Sequence, residues 1–331
     1  MDSTLPADLR HGLDRLAEGR SRHALAARAA ALSELYRSGG RSADAIRDGA
    51  DALAYALARM PATYAATATA LAELAPALPN FSPGTLLDVG AGPGTAAWAA
   101  VAQFDGLSAI RLIDDNSHLR ELARALSATT ENPALRNATY ESGELTAQLR
   151  DAAPADLVIA SYVLGELPSD MLGRVADALW SVAAGALVVV EPGTPAGFAR
   201  IRDLRARLIA HGAHVAAPCA HDGACPIVAP DWCHFSQRLA RSRDHRQVKG
   251  ATLSYEDEKF SYVALTREPA RPVDARVLAH PRVTKGEASA KLCTSKGIAV
   301  HTAARRDRDN YRAIKGWGWG DAVTPSESRT E

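Results

Sequence analysis

Leu86-Leu87-Asp88-Val89-Gly90-Ala91-Gly92-Pro93-Gly94-Thr95 is the stretch whose reading decides the fold. An apolar strand runs into a glycine-rich turn, which opens into the alanine-rich helix Ala96-Ala97-Trp98-Ala99-Ala100. Glycine carries no Cβ, so such a turn lets a ligand come close to the backbone. A dinucleotide-binding turn follows G-x-G-x-x-G and would put its third glycine at position 95. Here that residue is Thr95 and the third glycine is Gly94, which weakens the phosphate-binding reading. The next apolar run, Ala109-Ile110-Arg111-Leu112-Ile113, ends in Asp114-Asp115, and Asp114 stands 20 residues past Gly94. A carboxylate at the end of a second strand can accept hydrogen bonds from both ribose hydroxyls. Asp-Asp-Asn is also common in a tight strand-to-helix turn. Acid and glycine run together, inside a βαβ pattern, point to a nucleoside ligand.

G-x-G-x-G preceded by an acid, here Asp88, resembles motif I of S-adenosylmethionine-dependent methyltransferases. The resemblance implies S-adenosyl-L-methionine as the ligand, held by Asp88, Gly90, Gly92, Gly94 and Asp114. The glycines would admit the methionine and ribose portion and Asp114 would fix the ribose. Asp88 would orient the loop or the donor's amino group rather than act as a base.

The chain has 331 residues, enough for two or three domains and a large core. Lys plus Arg and Asp plus Glu both number 38, so net charge does not point to a polyanionic partner and local charge has to carry any such reading. No run of 18 apolar residues occurs, so no membrane span is expected. The first residues, Met1-Asp2-Ser3-Thr4-Leu5-Pro6-Ala7-Asp8, lack a basic and an apolar region, and their acids argue against a transit peptide. A cytoplasmic location is expected on that ground. Four cysteines in such a chain suit metal ligands or free thiols better than disulfides.

Residues 1–80 read as a helical segment, with Leu9, Leu13, Leu16, Leu25, Leu32 and Leu35 at helical spacing. Gly39-Gly40 breaks that pattern, Ser42 is a candidate N-cap, and Pro61 marks a further boundary. From about 81 strands and helices alternate, the sign of a parallel α/β sheet. Strands are expected near 85–90, 109–114, 137–142, 156–162 and 186–191, and helices near 95–103, 117–127, 169–183 and 196–211. Ligands of such sheets sit over the carboxyl ends of the strands, which would gather Asp88, Gly90, Asp114, Ser161, Tyr162 and Glu191-Pro192-Gly193-Thr194 around one crevice. A cysteine-bearing insertion spans about 214–249, strands resume around 248–266, and 271–331 forms a small β-rich tail. The expected fold is thus α/β: a Rossmann-like class I methyltransferase sheet over 81–270, between the helical segment and the tail.

Cys219, Cys225 and Cys233 are separated by five and seven residues, and a further 59 residues separate Cys233 from Cys293. Structural zinc sites usually show tighter C-x2–4-C knuckles, and none occurs here. Loose spacing with four thiolates suits a cubane iron–sulfur cluster, while His221 and His234 could replace a thiolate in a zinc site. Chemistry alone leaves iron–sulfur and zinc both open.

Three longer segments are more specific than the glycine loop: Pro218-Cys219-Ala220-His221-Asp222-Gly223-Ala224-Cys225-Pro226, Asp231-Trp232-Cys233-His234-Phe235-Ser236-Gln237-Arg238, and Tyr255-Glu256-Asp257-Glu258-Lys259-Phe260-Ser261-Tyr262. With Glu191-Pro192-Gly193-Thr194-Pro195-Ala196-Gly197-Phe198 and Trp319-Gly320-Asp321, they resemble the methyltransferase-like family associated with the small ribosomal subunit. That family includes mitochondrial small-subunit assembly factors and their bacterial relatives. The resemblance implies a [4Fe–4S] cluster on Cys219, Cys225, Cys233 and Cys293, and a role on the small subunit and its rRNA. It implies rRNA methylation, subunit assembly or both. The alternative is an assembly factor that binds S-adenosylmethionine without turning it over. The protein is expected to be monomeric off the ribosome.

Amino-group methyltransferases often carry [DN]-P-P-[FY] after the fourth strand, whereas this chain has Ala160-Ser161-Tyr162-Val163-Leu164-Gly165-Glu166-Leu167. Ser161, Tyr162 and Glu166 are the candidate catalytic residues by position, and strand-end packing is their structural alternative. Two basic tracts are candidates for RNA contact: Arg238, Arg241, Arg243, Arg246 and Lys249, and Arg305, Arg306, Arg308, Arg312 and Lys315. Tyr311, Trp317 and Trp319 interleave the second as candidate stacking groups.

Overall fold

The computed structural model describes residues 4–37, 45–143, 145–241, 243–249 and 252–325. Gly39, Gly40 and Ser42, the expected helix break and cap, lie outside the described residues.

The helices α1 (Ala7–Ala17), α2 (Arg22–Arg37) and α3 (Gly49–Ala72) precede the sheet, with one further short turn of helix at Leu74–Ala77. Asp48 caps α3, its side chain accepting from the N–H groups of Ala50 and Asp51. Pro61 lies inside α3 and does not end it, which corrects the expected boundary. A proline in mid-helix removes one hydrogen bond and crowds the preceding turn. Here Leu53, Met60, Tyr64, Ala68 and Leu71 of α3 are all buried, and that packing outweighs the local cost.

The main sheet follows as β1 (Thr85–Val89), α4 (Thr95–Gln103), β2 (Ala109–Ile113), α5 (Ser117–Ser127), β3 (Thr139–Glu141), α6 (Leu145–Asp151), β4 (Ala155–Ser161), α7 (Leu172–Val182), β5 (Ala183–Pro192) and α8 (Pro195–Ala210). It is completed by β6 (His214–Ala217), β7 (Phe235–Ala240), α9 (Arg243–Lys249) and β8 (Tyr255–Thr266). The order across it is β3-β2-β1-β4-β5-β8-β6, with β7 pairing the first half of β8. β1 to β5 are parallel and β8 runs antiparallel to β5. This is the Rossmann-like sheet of class I methyltransferases. The helix at 243–249 occupies residues where strand was expected to resume, so β8 starts only at Tyr255.

Side chains alternate between the two faces of a strand, and both faces of this sheet are covered. Leu86, Leu157, Ile159, Val188 and Val190 pack on the face shared with α3 and α4. Leu87, Val89, Val158, Leu187 and Val189 pack on the other, against α7 and α8. Each such side chain stabilises the fold by roughly 1.5–3 kcal/mol. The double cover explains why Ala186-Leu187-Val188-Val189-Val190 reads as unbroken apolar sequence. No described helix is long and apolar enough to cross a membrane.

The C-terminal residues form a second sheet from β9 (Ala275–Val277), β10 (Arg282–Val283), β11 (Glu287–Thr294), β12 (Gly297–Ala304) and β13 (Ala322–Val323). α10 (Arg308–Gly316) packs on it through buried Ile314 beside Tyr311 and Trp317. That helix was not expected in a β-rich tail. Its apolar signal is one short patch, Tyr311 and Ile314, among charged neighbours.

Arg276 clasps the molecule together. Its buried guanidinium donates to the Pro218 carbonyl at 2.7 Å, to Glu73 Oε2 at 2.6 Å and to the Gly320 carbonyl at 2.8 Å. One side chain thus ties the residue after α3, the cysteine-bearing loop and the C-terminal sheet.

Candidate functional site

β1 ends where the backbone must turn sharply. Gly90, Gly92 and Gly94 have φ of 68°, 56° and 82°, a region L residues rarely adopt. The Gly90 and Ala91 N–H groups donate to the Ile113 carbonyl at 2.9 and 3.0 Å, so the turn is fastened to the end of β2. A Cβ on Gly90 would lie 2.3 Å from Val163 Cγ2, whereas a Cβ on Gly92 would meet no protein atom within 4 Å.

Asp114 stands at the mouth of this turn. Its Oδ2 accepts from the Gly92 N–H at 2.7 Å and its Oδ1 from the Asn116 N–H at 2.9 Å. Burial raises its pKa, against the pull of those backbone donors. Asp88 is 1% exposed, and its Oδ2 accepts from the Ala97 N–H at 3.1 Å, in the first turn of α4. Burial pushes its carboxyl up to about 7. Asp88 therefore fastens the loop to the helix start, where the helix dipole favours negative charge.

Asp88, Gly90, Gly92, Asp114, Ser161, Tyr162 and Glu166 all line one cavity of 260 Å³. Gly94 does not line it; it opens α4 from a left-handed conformation. Glu191, Pro192, Gly193 and Thr194, expected around the crevice, are also outside its lining. Glu191 is fully buried, accepting from the Leu164 N–H at 3.0 Å and from Arg200 Nε at 2.7 Å. Thr194 caps α8 by accepting from the Gly197 N–H. These residues brace the strand end from behind.

Sequence reading missed the contribution of α3, whose Tyr55 and Thr63 line the same cavity. Neither residue stands in a motif, so only the packing of α3 across the strand ends brings them there. α3 also engages the candidate catalytic residues. Ser161 Oγ lies 2.9 Å from Thr67 Oγ1, in a hydrogen bond that either hydroxyl can donate. Tyr162 has φ 59°, a strained conformation for a non-glycine residue. Its hydroxyl donates to Glu258 Oε1 at 2.9 Å, and Arg59 of α3 lies 3.8 Å from the same oxygen. Burial, then the Glu258 charge, hold the phenol well above its ordinary pKa, which keeps the Tyr162 hydroxyl protonated.

The four cysteines line a second cavity, of 30 Å³, with Arg205, Arg276, Tyr262 and Phe235. Cys219, Cys225 and Cys233 come from the loops between β6 and β7, and Cys293 from β11. Burial raises the Cys219, Cys233 and Cys293 thiols, Cys293 to about 12, and the neighbouring thiols add to the rise. Among the described residues no three His, Cys, Asp or Glu side chains form a ligating cluster. The thiols share a cavity without themselves displaying a metal geometry. His234 is committed elsewhere, stacked on Trp232 at 5.2 Å and edge-on to Trp319 at 4.9 Å.

The two basic tracts differ. Arg238 is paired with Asp257 at 2.7 Å, and Arg241 and Lys249 both reach Glu256 at 2.7 Å. Among the described residues Arg305, Arg306, Arg308, Arg312 and Lys315 have no carboxylate partner and are exposed. The aromatics beside them are structural: Trp317 packs beside His301 at 5.8 Å, and Trp319 lies between His234 and His280.

Residues 49–324 match the family described as Mitochondrial small ribosomal subunit Rsm22. The chain is similar to the human ribosome assembly protein METTL17, mitochondrial, with 31% identity over 301 residues, covering 83% of this chain and 63% of that protein. It is also similar to the Rsm22-cox11 tandem protein 2, mitochondrial, of Schizosaccharomyces pombe, with 29% identity over 255 residues, 67% of this chain and 32% of that protein. The chain therefore spans less than two thirds of either relative. Among solved structures, a putative RNA methyltransferase, PH1948 from Pyrococcus horikoshii, is similar at a TM-score of 0.40 and 12% identity, over 63% of this chain and 83% of that one. A TM-score that low has no bearing on function, and the strand order stands without it. The family and these two relatives are named mitochondrial, which overturns the expected cytoplasmic location. The expectation rested on the composition of eight residues, which does not report the compartment of a family.

Proposed function

The chain belongs to the family described as Mitochondrial small ribosomal subunit Rsm22, and from that premise we propose that it acts in assembly of the small ribosomal subunit while holding S-adenosylmethionine. The observation that carries the ligand assignment is the cavity between the glycine turn and Asp114. The positive-φ turn leaves the backbone at Gly92 open to a close ligand, and the carboxylate at the end of β2 is placed to accept from ribose hydroxyls.

Methyl transfer from a sulfonium is an in-line displacement, so a transferase mainly holds donor and acceptor in near-attack geometry. In this chain the residues at the end of β4 are engaged in the fold: Ser161 with Thr67 and Tyr162 with Glu258. That arrangement supports ligand binding without an acceptor-positioning device. The intact cradle favours methyl transfer to rRNA as the second reading.

Cys219, Cys225, Cys233 and Cys293 would hold a [4Fe–4S] cluster, one thiolate per iron, with zinc as the alternative occupant. What supports this is the donor set: four soft ligands around one cavity, beside the cationic Arg205 and Arg276. Such a group supplies a tie between β11 and the loops after β6, of the kind that adds folding energy to loop-rich regions.

Calorimetry with S-adenosylmethionine and S-adenosylhomocysteine on anaerobically purified protein tests the ligand assignment. Saturable binding that Asp114→Ala abolishes is the expected result, and no affinity for either compound overturns it. Labelled donor incubated with immature small subunits separates the two readings: label in RNA establishes transfer, and its absence with binding intact leaves the assembly role. Iron and zinc analysis with a visible absorption spectrum decides the metal.

A further inference from the structure

We propose that the flank of α10, with the turn before it and the β10–β11 hairpin, is the surface on which this protein grips the RNA phosphate backbone. The assignment rests on the small-subunit role proposed above and names the part of the molecule that carries it.

Arg308, Arg312 and Lys315 are spaced by four and three residues, so they form one stripe along α10. The helix is oriented by buried Ile314, packed against the C-terminal sheet, and by half-buried Tyr311, whose hydroxyl donates to the Thr284 carbonyl at 2.7 Å. The stripe consequently lies to one side of the packed face and is open to solvent. Arg305 and Arg306 precede the helix, and Arg305 donates through its backbone to the Gly286 carbonyl and through its guanidinium to the Lys285 carbonyl. Those bonds bring exposed Lys285 of the hairpin to the same region.

The charge balance of this region is local and one-sided. Lys285, Arg305, Arg306, Arg308, Arg312 and Lys315 stand against Glu287, Asp307 and Asp309, in a chain with net charge zero. Asp307 is occupied as the helix cap, accepting from the Asn310 N–H and from Asn310 Nδ2. No carboxylate among the described residues pairs with the six cations, and four of the six are arginines. An unneutralised arginine-rich stripe suits phosphate, which guanidinium binds through paired hydrogen bonds. In the tract 238–249, three of the four cations whose side chains are described fail the same criterion. Its Arg238, Arg241 and Lys249 charges are already spent on Asp257 and Glu256, so they fasten β7 and α9 to β8. The aromatics around α10 are packed rather than free to stack, so backbone charge rather than base identity is what this surface reads.

The test is filter binding of the full-length, metal-replete protein to a transcript of small-subunit rRNA across a salt series. The variant Arg308→Glu/Arg312→Glu/Lys315→Glu is expected to bind at least tenfold more weakly at about 0.1 M salt, and its salt dependence should flatten by about two units of slope. Arg308→Gln/Arg312→Gln/Lys315→Gln removes the charges without adding repulsion and should show the same flattening. Arg238→Gln should leave both quantities unchanged. Unaltered affinity and slope in folded triple variants overturns the proposal, as does a loss on Arg238→Gln that the triple variants do not show. Loss of binding to an acidic subunit protein with RNA binding intact also overturns it, in favour of a protein partner. Nucleoside binding measured on the same samples keeps the two proposals apart: RNA affinity without nucleoside affinity refutes only the ligand assignment, and the reverse refutes only this surface.

Discussion

Two neighbouring glycines separate the cost of building the nucleoside turn from the cost of filling it. Gly92→Ala places a methyl group where no protein atom lies within 4 Å, at a residue that lines the cavity. The fold loses only the strain of an L residue at φ 56°, about 1–2 kcal/mol. At roughly 2–4 °C per kcal/mol for chains somewhat shorter than this one, Tm should fall by a few degrees. The methyl group takes space that the ligand would use, so S-adenosylhomocysteine affinity should fall at least tenfold, about 1.4 kcal/mol. Gly90→Ala meets Val163 Cγ2 at 2.3 Å and Val163 Cβ at 2.6 Å, at φ 68°. Overpacking of 1–3 kcal/mol adds there to the same strain, for a total of about 2–5 kcal/mol. Scanning calorimetry reads the stability and titration calorimetry the affinity. A Gly92→Ala protein with unchanged Kd, or a Gly90→Ala protein as stable as the parent, refutes this account of the turn.

Three further outcomes are expected. Burial raises the Asp88 pKa from 3.8 to about 7, so its contribution to stability is fully present below pH 3.8 and is lost as pH rises through 7. Asp88→Asn cannot ionise, and its stability relative to the parent should therefore increase between pH 5 and pH 8 by on the order of a few kcal/mol, read by urea denaturation; a pH-independent difference contradicts the assignment. Cys293→Ser should lower iron content and visible absorption and speed tryptic cleavage within 271–325, whereas full metal content with unchanged cleavage removes Cys293 from the ligand set. Arg276→Met leaves Glu73 and the Pro218 and Gly320 carbonyls without their donor, and with Glu73 30% exposed the cost should be about 2–4 kcal/mol in denaturant unfolding; a change under ~0.5 kcal/mol would show that the clasp contributes little.

Much of the sheet was legible because its signals are local. The strand at 85–89, the turn and the helix at 95–103 follow one another within twenty residues, each with its own composition. The unbroken apolar run in β5 announced a strand covered on both faces. Pro61 and α10 were misread for opposite reasons. At Pro61 a strong local signal was overruled by the burial of α3, and in α10 two packed residues were hidden among charges.

The linear order of residues determined the alternation of strands and helices, the glycine turn and Asp114, because neighbours along the chain dictate these through sterics and hydrogen-bonding capacity. Only the folded molecule decided which distant groups meet. α3 crosses the strand ends and engages Ser161 and Tyr162, and Arg276 joins Glu73 to Pro218 and Gly320. The same holds for charge: two basic tracts look alike in one dimension, yet carboxylates from β8 neutralise Arg238, Arg241 and Lys249 of the first and leave the second exposed. A charge is cancelled by its neighbours in space, and the sequence does not record them.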